Sequence, residues 1–206
     1  MSEKQLQFFA WGISVGSVLL AILAWGQDFR WQINDMTPYQ WFPLLGLIAF
    51  SLMWAHYVAS VVRQHNKIEP TVLKRYFDST SVVVLIAILL HPGLLAYQLV
   101  EDGLGRPPDS FYDYVGQAMG LSITLGYVAL GAFLLYEFRH WFGQRSWWRF
   151  ISYASDVAIL LIYLHALRLG SQLVSGWYLG VWYFYGATLL ASLVYIHSRR
   201  LRKPKV

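Results

Sequence analysis

Six stretches of this chain are long and apolar enough to cross a lipid bilayer, and the connections between them are short. They run 8–26, 41–62, 77–100, 117–136, 150–169 and 178–197. At 1.5 Å rise per residue, about 20 residues of helix cover the ~30 Å of hydrocarbon. Inside lipid every backbone N–H and C=O must be paired within the protein, so only helices and closed barrels span it. These runs therefore read as helices. The expected fold is all-α: a polytopic six-transmembrane-helix bundle forming one domain, 1–206.

Composition agrees. The chain is 57% hydrophobic and only 13% charged, against about 25% charged in soluble domains. A formal charge of +5 could suggest nucleic acid, but the basic residues cluster between apolar runs, as membrane loops do, and no nucleic-acid partner is expected. There are no cysteines, which excludes disulfides, iron–sulfur clusters and thiolate metal sites.

The cations also orient the bundle. One set of connections and ends carries Lys4, Arg63, Lys67, Lys74, Arg75, Arg139, Arg145, Arg149, Arg199, Arg200, Arg202, Lys203 and Lys205. The other set has only Arg30, Arg106 and Arg168. The positive-inside rule then places both termini in the cytoplasm, in a multi-pass protein of the inner (plasma) membrane. The first run contains Trp11 and Trp25 and lacks a small-residue cleavage pattern, so it reads as a helix and not a signal peptide. Trp25, Tyr39, Trp41, Trp147, Trp148, Trp177 and Tyr178 crowd the run ends as interfacial belts do. Gly12-xxx-Gly16 and Gly116-xxx-Gly120 would allow close helix approach, though ordinary packing within the bundle is the simpler reading of both. Residues 103–113, with Pro107 and Pro108, read as the longest outer loop, and no internal repeat is visible.

Histidine placement carries the functional content. His91 lies 14 residues into the third run and His165 lies 15 into the fifth. Both runs rise from the inside, so each imidazole sits ~21–23 Å above the inner boundary, in the outer half of the bilayer. An ionisable side chain at that depth faces the bundle interior and has a partner. A lone buried histidine is satisfied by a neighbouring helix carbonyl or hydroxyl. Two at one depth on parallel helices can instead clamp a flat cofactor, and haem iron takes axial ligands from opposite faces. Pro92, directly after His91, weakens the preceding turn and helps aim the ring, or simply kinks the helix.

Other polar residues form a weaker inner-half group. His56, on the descending second run, falls ~22 Å below the outer boundary and cannot share a haem with His91. It reads as a hydrogen-bonded bundle residue or as a contact for a quinone or haem edge. Asp78 and Asp156 lie near the inner ends of their helices, where the helix dipole favours carboxylates. Together His56, Asp78 and Asp156 are a possible proton or quinone site. His65, His140 and His197 fall at the inner interface. Arg168, one turn beyond His165, could bind haem propionates or reach to lipid headgroups.

Residues 73–99, LKRYFDSTSVVVLIAILLHPGLLAYQL, and 142–171, FGQRSWWRFISYASDVAILLIYLHALRLGS, resemble the ferric reductase-like transmembrane domain. The motif-bearing part is roughly residues 74–171. In length and six-helix layout the chain is similar to the small haem-binding membrane subunits of that superfamily, which serve periplasmic methionine sulfoxide reductases. The resemblance implies haem b held by histidines on the third and fifth helices, matched by His91 and His165. Larger members hold a second haem through histidines 13 or 14 residues away. Those positions are Phe77, Asp78 and Ser152 here, so one haem is implied. No glycine-rich dinucleotide fingerprint is present, so FAD and NAD(P)H are not expected to bind this chain.

The expected function is haem-dependent electron transfer, with electrons from quinol or a flavoprotein partner passing to an outer-side acceptor such as ferric iron or a periplasmic redox partner. Whether the chain is itself an oxidoreductase or an electron-transfer subunit is left open. The alternatives are a haem-free transporter or scaffolding subunit using His56, Asp78 and Asp156 as a proton or ion path, and a structural protein whose histidines only pack. The topology is directly testable. A reporter active only in the cytoplasm should be active when fused after Val206, and activity of a periplasm-dependent reporter there would invert the assignment.

Overall fold

The computed structural model describes residues 1–137, 144, 145 and 147–202, and every regular element among them is helical. In chain order these are α1 (Glu3–Asp28), α2 (Pro38–His65), α3 (Lys74–Glu101), α4 (Asp109–Val115), α5 (Gly120–Glu137), α6 (Trp148–Leu169) and α7 (Trp177–Arg202). All but α4 correspond to helices long and apolar enough to cross a membrane. The protein is therefore a multi-pass membrane protein with a six-helix bundle. His140 and the cations Arg139, Lys203 and Lys205 lie outside the described residues.

Helix ends follow local chemistry. Ser2 caps α1, and its hydroxyl accepts from the Gln5 N–H while the Gln5 side chain accepts from the Ser2 N–H. Pro38 opens α2, where a missing N–H costs nothing, and Pro43 sits close enough to that end for the helix to continue through it. The N-terminus and the last turns of α7 around Arg199 lie at one end of the bundle. The Met1 ammonium donates to Asn66 Oδ1, and the Arg199 guanidinium donates to the Gln64 carbonyl.

Most apolar faces look outward. Phe8, Val82, Leu121, Phe150 and Val194 are exposed, as expected where lipid rather than water is the surrounding solvent. The buried centre is aromatic and belongs to α2 and α7. Phe50 packs on Trp182 at 4.3 Å between ring centres, and Trp54 packs on Tyr185 at 4.2 Å. The Trp54 indole N–H donates to Thr188, which satisfies the polar edge of a buried ring.

Three sequence expectations change. The stretch 103–113 is not all loop, because α4 begins at Asp109, with Ser110 and Phe111 buried. Phe111 stacks on Tyr127, which ties α4 to α5. The aromatic belt is only partial. Trp147 and Trp177 are exposed, whereas Trp25, Trp148 and Tyr178 are buried, and the Trp25 N–H donates to the Gln40 carbonyl at 2.7 Å. Finally, the Gly12-xxx-Gly16 pattern is not a contact seam, and in the second pattern Gly120 lies close to Tyr112 of α4, 3.3 Å from an added Cβ. A Cβ on Gly12 or Gly16 would meet open space, and Gly116, at φ +79°, ends α4 in a conformation that side chains resist.

A tight glycine between α6 and α7 is Gly186, where a Cβ would fall onto the Tyr163 ring. Gly12→Ala should leave thermal stability in detergent unchanged or slightly raised, since alanine favours helix by about 1 kcal/mol. Gly186→Ala should lower it by about 1–3 kcal/mol through overpacking. Equal melting temperatures for the two variants would contradict this assignment.

Candidate functional site

His91 on α3 and His165 on α6 meet in the bundle. Their ring centres are 6.5 Å apart and their planes cross at 81°. Both line one cavity of about 480 Å³, walled by α2, α3, α5, α6 and α7 through such residues as Phe50, Ile88, Leu95 and Leu130. That volume lies in the usual range for a small-molecule or cofactor site, ~300–1,000 Å³.

Each imidazole is tied to the wall in the same way. His91 Nδ1 lies 2.7 Å from the Phe42 carbonyl on α2, and His165 Nδ1 lies 2.7 Å from the Ser122 carbonyl on α5. A carbonyl can only accept, so in both rings Nδ1 carries the proton and donates it. No hydrogen bond involves either Nε2 among the described residues. Histidines that ligate metals are held in this manner, with one nitrogen donating to a carbonyl and the other left bare. The carbonyl bond expected of a merely buried histidine is therefore present, but it uses only one nitrogen of each ring.

Glycine makes the approach possible. A Cβ on Gly46 would lie 2.9 Å from His91 Cε1, and one on Gly126 would lie 3.0 Å from His165 Cε1. The site thus has two matched halves, α2 with α3 and α5 with α6, each built from a carbonyl, a glycine and a histidine.

The cavity also contains polar atoms that lack partners. Tyr127 Oη, Gln172 Oε1 and Trp182 Nε1 are buried with no hydrogen bond among the described residues, and all three residues line it. Leaving such groups unpaired costs about 1–3 kcal/mol each, and a bound group with polar substituents would relieve that cost. At the rim, Tyr114 of α4 stacks flat on Tyr39, whose hydroxyl donates to Asp102. Burial pushes the Tyr114 phenol above its ordinary value.

Haem can be tested against this geometry. Two metal–nitrogen bonds of about 2 Å and about 1 Å from each nitrogen to its ring centre require centres about 6 Å apart. The observed 6.5 Å meets that requirement, and the cavity's largely apolar lining suits a porphyrin. The residues present fit the group. Among the described residues no three His, Asp or Glu side chains come together, so an ion held by protein ligands alone has no candidate site there.

The inner-half residues each have hydrogen-bond or ionic partners among the described residues. His56 donates from Nε2 to Thr80 Oγ1 at 2.6 Å, because the Thr80 proton goes to the Tyr76 carbonyl. Asp78 pairs with Lys74 on the surface, as a solvated helix end should. Asp156, for which the solvated end and an inner proton or quinone route were both open, lies inside. Its mostly buried carboxylate accepts from Tyr57 at 2.7 Å and lies 3.2 Å from His197 Nε2. Arg168 is exposed at the end of α6 and does not itself line the cavity, although Leu169, Gly170, Ser171 and Gln172 do.

The chain matches no family model, no curated protein and no solved structure. Sequence reasoning found both histidines and missed Gly46, Gly126 and the two carbonyls. A glycine one helix away from a histidine has no sequence signature.

The tautomers are measurable. Ring ¹⁵N shifts in the cofactor-free protein should show Nδ1 protonated and Nε2 bare at His91 and His165, with Nε2 protonated at His56. The reverse pattern at His91 and His165 would remove the wall bonds described above.

Proposed function

We propose that the protein binds one haem b between His91 and His165 and carries single electrons in a bacterial-type inner membrane. The observation that carries this reading is the pair of imidazoles 6.5 Å apart on one cavity, each with Nδ1 bonded to a helix carbonyl and Nε2 bare. The resemblance to the ferric reductase-like domain, read from the residues around those histidines, points the same way.

Bound haem supplies the one-electron couple that no side chain here provides. The chain's own contribution is threefold. His91 and His165 would hold the haem iron. Phe50, Ile88, Leu95 and Leu130 keep water from the ring. Tyr127 and Gln172 offer polar atoms to its substituents, with Arg168 placed one turn beyond His165 to pair with propionates. The cation distribution puts the termini in the cytoplasm and the histidine level nearer the outer face. Electrons then come from membrane quinol or a separate flavoprotein and leave to an outer-side acceptor.

An absorption spectrum before and after dithionite tests the proposal. The wild type should show a Soret band and sharp reduced b-type bands, with one haem per chain. His91→Ala and His165→Ala should each abolish them, and His56→Ala should retain full haem content. A colourless wild type after expression with haem supplied would overturn the reading, and a ratio near two would overturn the single site.

A further inference from the structure

We propose that Gly46 and Gly126 are positioning residues for the two imidazoles, and that they set ligand strength through the carbonyls of Phe42 and Ser122. This rests on the haem reading and adds to it the device that tunes the site.

Each glycine stands four residues after the carbonyl that takes the imidazole proton: Gly46 after Phe42, and Gly126 after Ser122. In an α-helix the Cβ of residue i+4 leans back toward the helix N-terminus and stands over residue i. A side chain at i+4 therefore crowds the flank of carbonyl i. Glycine leaves that flank open. The carbonyl oxygen has two lone pairs, so it can serve the helix ladder and still accept from a ring N–H on the next helix.

The fit is close in both halves. A Cβ on Gly46 would lie 2.9 Å from His91 Cε1 and 3.0 Å from its Nδ1, and one on Gly126 would lie 3.0 Å from both atoms of His165. Those distances are shorter than nearly all real Cβ contacts, so a larger residue must shift the ring by some tenths of an ångström. Shifting the ring lengthens and misaligns the short bond from Nδ1–H to the carbonyl. That bond makes Nε2 a stronger donor to a metal and fixes where it points. Gly12, Gly16, Gly93 and Gly131 on other parts of the bundle helices have nothing within 4 Å of such a Cβ. The close contact with a histidine is thus particular to these two positions, and it recurs once in each half.

The test compares Gly46→Ala and Gly126→Ala with Gly16→Ala and Gly131→Ala in the haem-loaded full chain. The first pair should lose the low-spin, six-coordinate spectrum or shift in midpoint potential. The second pair should match the wild type in both. A second measurement does not depend on how the alanine variants fold. In His91→Gly, added imidazole should restore the low-spin spectrum. 1-Methylimidazole, which has no N–H for the Phe42 carbonyl, should bind about 10-fold more weakly, the scale of second-shell effects. Equal affinity of the two probes, or unchanged spectra and potentials in Gly46→Ala and Gly126→Ala, would overturn the glycine proposal and leave haem binding intact. A colourless wild type would overturn both, and the first spectrum distinguishes the cases.

Discussion

An imidazole has two nitrogens, and a bundle without water must provide for both. Everything notable about this site follows from how His91 and His165 meet that requirement. Each gives its Nδ1 proton to a carbonyl of the neighbouring helix at 2.7 Å. In hydrocarbon an unmade hydrogen bond to such a group costs several kcal/mol, so the bond anchors the ring firmly. Once Nδ1 is committed, Nε2 is left as a bare acceptor beside a largely apolar cavity, with no hydrogen bond of its own among the described residues. A metal is the partner that uses such a lone pair best.

The anchoring requires the helices to be close, and that requirement reaches into the sequence at two points. A carbonyl inside a helix is normally hidden among the side chains around it. Gly46 and Gly126 uncover one carbonyl on α2 and one on α5, and the ring edges lie against the uncovered spots. The aromatic packing of Phe50 with Trp182 and Trp54 with Tyr185 then joins α2 to α7. The site and the aromatic centre therefore share α2, and movement of that helix would alter both.

The fold was legible because hydropathy is a strong signal over twenty residues. All six runs became helices, with ends extended by a few residues through caps such as Ser2 and starts such as Pro38. The histidine pair was legible because equal depth on parallel helices implies proximity, and the rings do meet at 6.5 Å. What failed were readings that depended on which way a residue faces. Trp25 sits at a run end, as an interfacial tryptophan does, yet it turns inward to reach the Gln40 carbonyl. Gly12 and Gly16 share the spacing of a packing seam but face open space. Asp156 was equally suited to a solvated helix end, and only its contacts with Tyr57 and His197 place it inside. Facing is decided by the neighbouring helices, and one helix's sequence does not contain them.

The matched halves explain why no internal repeat could be seen. A repeat is visible when many positions recur. Here the recurring unit is one glycine, one histidine and a backbone carbonyl, and a carbonyl is present whatever the residue, as Phe42 and Ser122 show. The lipid-facing and core positions around it need only be apolar, so they are free to differ between α2–α3 and α5–α6. An axially held planar group makes the same demand from each side: a ring held upright, with its bare nitrogen inward. Two unrelated-looking helix pairs can meet that demand identically, because the chemistry constrains the clamp and leaves the rest of each helix to the membrane.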